Sequence, residues 1–137
     1  MKGQVLLPTV LILGFLVMTI GLIGLFVVAN LNRANYAIRL STSALAAAES
    51  GIRDAQLRII RGTNELNCLL SFEGFSYNYD LVVGSYKAYV CVTAIVNSYT
   101  VDSLGVAGSQ KKKVRGVFDV DAVTKQLRVG SINEIQF

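Results

Sequence analysis

Val5 to Val28 form an apolar run of 24 residues without a single charge. At about 1.5 Å of rise per residue, such a run makes roughly 36 Å of helix, enough to cross the hydrocarbon of a bilayer. Beyond it the pattern changes. Ala34, Ile38, Ser41, Leu45, Ala48, Ile52, Ala55 and Ile59 recur at alternating steps of four and three, the spacing of a helix with one apolar seam. Pro8 falls in a first turn, where its missing N–H does no harm, and Gly62-Thr63-Asn64 supplies a stop. One helix from near Pro8 to Arg61, roughly 80 Å long, is therefore predicted. Its first half is apolar all round, and its second half needs a domain or a partner against its seam.

From Glu65 onward the period is that of strands. Tyr86 to Ile95 and Val114 to Asp121 are rich in β-branched and aromatic residues, and Gly84, Asn97-Ser98, Gly105 to Gly108 and Asp121 to Lys125 read as turns. Four or five antiparallel strands are predicted: 77–83, 85–96, 98–106, 112–121 and 126–135. Tyr86, Ala88, Val90, Val92 and Ala94 alternate, giving a face that suits the seam of the helix. The fold class expected is α+β, a long N-terminal helix packed on a small antiparallel sheet.

Charge and chemistry narrow the picture. A cleaved signal peptide fits poorly, because the nearest small-residue site, Ala44-Leu45-Ala46, lies far past the apolar run. Lys2 stands before the run and Arg33 and Arg39 after it, so positive charge alone does not orient a span. Of the 13 Lys and Arg, 12 follow Val28, against all 9 Asp and Glu, leaving an ordinary surface at +3. The chain has no histidine, which excludes His-based triads and bases. No enzymatic activity, cofactor or metal is expected, since two cysteines without histidine make a poor zinc site. Cys68, just after the helix, and Cys91, in a strand, can either close a loop between helix end and sheet or remain buried thiols. The segment Gly105 to Lys113 lacks the Gly-Lys-Ser/Thr ending of a phosphate loop and reads as a solvated strand connection. Lys111, Lys112, Lys113 and Arg115 are its candidate polyanion contact, and Glu49 reads as a packed or paired carboxylate.

A stub ending in Gly3, then Gln4 to Gly14, a span running into a long helix with Ala46-Ala-Ala-Glu-Ser-Gly51, and strands carrying Ser98 to Gly105 and Lys113 to Val117 together resemble the type IV pilin and pseudopilin superfamily, minor pilins above all. The resemblance rests on the order of these features along the whole chain. It implies a leader at 1–3, a membrane and filament-core helix at 4–29, and an exported domain at 30–137. By the same resemblance a membrane-embedded prepilin peptidase cuts after Gly3 and methylates Gln4. The chain then leaves the lipid bilayer of the cytoplasmic membrane, with its C-terminal domain outside, for a surface or periplasmic filament built on an assembly platform protein. Leu6, Pro8, Ile12, Leu16, Ile20 and Ile23 would pack against other subunits, with Gly14, Gly21 and Gly24 permitting close approach. One departure stands out: the family's glutamate at the fifth mature position is here Pro8. The function implied is a structural minor pilin or pseudopilin of a type IV pilus or type II secretion-like filament, at the tip and starting assembly. The alternative is an adhesive or DNA-binding module displayed on such a filament, its nucleic acid held by the lysine run.

Overall fold

A computed structural model describes residues 6–62, 68–121, 124 and 126–136 and, for Leu6, the backbone alone. Gly3 and Gln4 lie outside the described residues, as does the side chain of Leu6. Helix α1 spans Leu6–Arg61, close to the limits expected, with Pro8 in its first turn. It stops at Gly62, whose φ of 69° is left-handed and whose N–H donates to the Ile59 carbonyl at 3.1 Å. Arg58 and Arg61 occupy the last turn, where cations suit the helix dipole.

The chain divides into two compact units, Met1–Ala37 and Ile38–Phe137. In the first, the described residues are helical, and almost every side chain is exposed. The second unit combines the end of α1 with seven strands: β1 (Leu70–Phe72), β2 (Phe75–Tyr77), β3 (Tyr79–Val83), β4 (Tyr86–Ile95), β5 (Ser98–Ala107), β6 (Gln110–Val120) and β7 (Leu127–Ile135). Strands β3 to β7 form one antiparallel sheet in chain order, and β1 and β2 a separate hairpin. Within that sheet β3–β4, β4–β5 and β5–β6 are joined by two-residue turns, since Val83 pairs with Tyr86, Ile95 with Ser98, and Ala107 with Gln110.

Each face of the sheet has its own core. Ala48, Ile52, Ala55 and Ile59 of α1 meet Val90, Val92, Val101, Val114 and Phe118 on one face. On the other, Phe75 of the hairpin meets Tyr89 and Leu104, with Phe72 and Tyr77 beside them. Phe118, Leu104, Val90 and Val101 are fully buried, and each such side chain contributes about 1.5–3 kcal/mol of hydrophobic stabilisation. Helix and sheet approach unusually closely at Gly105. A Cβ there would sit 1.9 Å from the Ala44 carbonyl oxygen and 2.7 Å from the Ala48 nitrogen. Gly51 does the same from the helix side, where an added Cβ would lie 2.3 Å from Ser103 Oγ.

Four expectations need correction. Ala34 and Ile38, assigned to the seam, are exposed; the buried stripe begins at Ala44 and adds Ala47 and Gly51. Small residues at those three positions let the backbone itself approach the sheet, which an a/d count does not register. The strand expected at 77–83 is broken at Asn78, a buried residue whose N–H donates to the Val90 carbonyl at 2.7 Å and whose Oδ1 accepts from Val92 N–H at 3.3 Å. Ala94 lies past the end of the helix-covered face and is exposed. Glu49 is exposed on α1, beside the buried stripe and not on it, and has no ion-pair partner among the described residues.

Candidate functional site

Ile12, Leu16, Ile20 and Ile23 follow one another at steps of four, four and three, so they share one face of α1. Each is more than half exposed, as are Leu11, Leu13, Phe15, Val17 and Met18 on the other faces. Pro8 is exposed in the same unit. At Gly14, Gly21 and Gly24 nothing lies within 4 Å of where a Cβ would be. By length and composition this helix can cross a membrane. Its apolar surface is uniform around the axis, and a helix of that kind is stable only in lipid or among other apolar helices.

The two cysteines are brought together. Cys68 and Cys91 form a disulfide with Cα atoms 5.6 Å apart, 23 residues apart in sequence. A loop of that size is stabilised by about 3 kcal/mol in the chain-entropy model. The bond ties the start of the β1–β2 hairpin to the middle of β4. Above it, Phe72 stacks on Tyr89 at 4.4 Å between ring centroids, and Tyr77 meets the same ring edge-on at 4.9 Å. The hairpin turns at Glu73-Gly74, with both residues at positive φ. This pattern was not foreseen, although Phe72-Glu-Gly-Phe75 is a turn sequence between aromatic residues that a two-residue hairpin reading would have found.

The basic run, the candidate polyanion contact, lies beside carboxylates in the structure. Successive residues of β6 alternate between faces, and each cation meets a carboxylate. Lys111 pairs with Glu73 of the hairpin turn and Lys112 with Glu134 of β7. Lys113 Nζ lies 3.5 Å from Asp102 Oδ2 and 5.2 Å from the centre of the Phe75 ring. Arg115 grips Asp102 with two hydrogen bonds, Nε to Oδ1 at 2.6 Å and Nη2 to Oδ2 at 2.8 Å. Burial works to raise the Asp102 pKa, but the Arg115 hydrogen bond and the Lys113 charge outweigh it and hold the carboxyl below its usual range. The same hydrogen bond raises Arg115 in turn. Three carboxylates that the sequence alone did not single out serve these four cations: Glu73 from the hairpin turn, Glu134 from β7, and Asp102 from β5, which is shared by Lys113 and Arg115.

A third cluster holds α1 to the edge strand β3. Arg58 Nε donates to Asp54 Oδ2 at 2.8 Å, and the guanidinium lies 3.9 Å above the Tyr79 ring. Burial pushes the Tyr79 hydroxyl above the ordinary phenol range, and the Asp54 carboxylate adds to that shift. Among the described residues no group of three or more His, Cys, Asp or Glu gathers as a metal site would require. Comparison with family models, with curated proteins and with solved structures gives no match.

Proposed function

We propose that this chain is a structural subunit that inserts in a membrane by α1 and then packs helix against helix in a type IV pilus or type II secretion-like filament. One observation carries the reading. Residues 10–28 present exposed apolar side chains on all sides of a helix, while residues 38–137 carry their own core and disulfide. A chain of that kind has one half that requires an apolar host and one half that does not. The long apolar helix followed by helix-on-sheet packing is pilin-like in architecture, and the disulfide suits a domain held outside the cytoplasm.

In this reading a prepilin peptidase cleaves after Gly3 and methylates Gln4, and an assembly platform protein moves the helix from lipid into the filament. Ile12, Leu16, Ile20 and Ile23 then meet neighbouring subunits. Pro8 supplies no carboxylate where related subunits place a glutamate, and a buried amine without a counter-charge is costly. The subunit is accordingly placed at the tip, with nothing above it to neutralise. Mass spectrometry of the filament-associated protein tests the scheme: the N-terminus should be methylated Gln4, and an intact Met1 would reject it. The display of a nucleic-acid contact on Lys111 to Arg115 is the weaker reading, because three carboxylates offset all but one of those four charges.

A further inference from the structure

Between Met1 and Ala48 the charged side chains are Lys2, Arg33 and Arg39, and there is no Asp or Glu. Arg33 and Tyr36 stand three apart and so share a face of α1. Both are exposed, Tyr36 at 66%. Among the described residues Arg33 has no carboxylate partner, in contrast to the lysines of β6. The position is specific. Arg33 and Tyr36 lie five and eight residues past Val28, about 7.5 and 12 Å along the helix, so their backbones stand at and just beyond the outer edge of a headgroup layer roughly 5–7 Å deep. Helical side chains lean toward the N-terminus, which draws both the guanidinium and the phenol back toward the apolar run. A planar guanidinium is well shaped for phosphate, and tyrosine favours the boundary between hydrocarbon and water.

We propose that Arg33 and Tyr36 form a headgroup collar, in which the guanidinium binds the phosphate of an anionic phospholipid and the ring lies at the membrane surface. The choice of an anionic lipid rests on charge complementarity: no acidic side chain within the first 48 residues offsets the collar. The collar rests on the membrane-inserted reading above. It adds to it a lipid partner that holds the helix at a fixed depth before assembly.

The chain contains no tryptophan, so a single introduced indole reports cleanly. Full-length Phe15→Trp and Tyr36→Trp proteins are reconstituted in vesicles of zwitterionic lipid, with and without anionic phospholipid. Quenching is read with aqueous iodide and with lipids brominated in the acyl chain or near the glycerol. Phe15→Trp should be shielded from iodide and quenched by acyl-chain bromine in both membranes. Tyr36→Trp should be quenched by bromine near the glycerol, and more strongly with anionic lipid present. Adding Arg33→Gln should lower the preference for anionic lipid about fivefold, and Arg53→Gln should leave it unchanged. If Tyr36→Trp is open to iodide in every membrane, or Arg33→Gln changes nothing, the collar is overturned while a shielded Phe15→Trp leaves insertion standing. If Phe15→Trp is itself open to iodide, insertion fails and the collar with it.

Discussion

Single atoms decide how closely helix and sheet of the second unit can pack. Gly105 faces backbone atoms of Ala44 and Ala48, which cannot rotate aside as a side chain can. Gly105→Ala should therefore cost roughly 3 kcal/mol or more, through overpacking that displaces α1 from β5. Urea unfolding of the full chain in detergent would read this as a lower midpoint, and an unchanged midpoint would contradict the close approach. Asp102 is the other residue with a measurable signature. Its pKa is depressed in the folded state, so its contribution is present above the unfolded carboxyl value and is lost as pH falls through the lower folded value. Asp102→Asn should accordingly cost little at low pH, where the wild-type carboxyl is protonated too, and more near neutrality. Because Arg115 is half exposed, the difference should stay near or below about 1 kcal/mol. Equal losses near neutrality and at a pH low enough to protonate the folded carboxyl would show that the ion pair contributes nothing through its charge.

At the level of elements, the disulfide and the hairpin act as one. Cys91→Ala removes the bond that restrains β1 and β2 and should lower stability by about 2–4 kcal/mol. Non-reducing peptide mapping should show Cys68 joined to Cys91, and free thiols in protein taken from the envelope would reject the bond. The larger elements were legible beforehand because they depend on local pattern. An uncharged run and a 4-3 seam specify α1 to within a few residues, and Gly84, Asn97 and Gly108 mark the turns between β3 and β6. The hairpin shows in the sequence only through its turn, Phe72-Glu-Gly-Phe75, because three-residue strands leave almost no period to read. The cross-strand clamps were hidden for a different reason: Asp102 and Arg115 are 13 positions apart, and only the register of β5 against β6 makes them neighbours. A string of cations in sequence likewise says nothing of the carboxylates that neighbouring elements bring beside it.

For the molecule as a whole, Pro8 bears on its place in a filament. If each subunit's fifth-position carboxylate meets the amine of the subunit above, a chain lacking it can be tolerated at an end and not along the shaft. It should then be scarce. Quantitative mass spectrometry of purified filaments should find it far below the main subunit, and immunogold labelling should place it at tips. Finding it as the bulk component along the shaft would refute the tip assignment.

The sheet runs β3 to β7 in chain order through mostly two-residue turns, and this has a kinetic consequence. Each hairpin can close as soon as its second strand is available, with little loop entropy to overcome. The stripe from Ala44 to Ile59 has no such advantage. Its partners in β6, Val114 and Phe118, come more than 50 residues later in the chain. A chain emerging N-terminus first must therefore hold an apolar helix face open until nearly the whole sheet has appeared. By this separation the docking of that helix is expected to follow the hairpins, and the interval before it is when the apolar stripe is open to aggregation or to a chaperone.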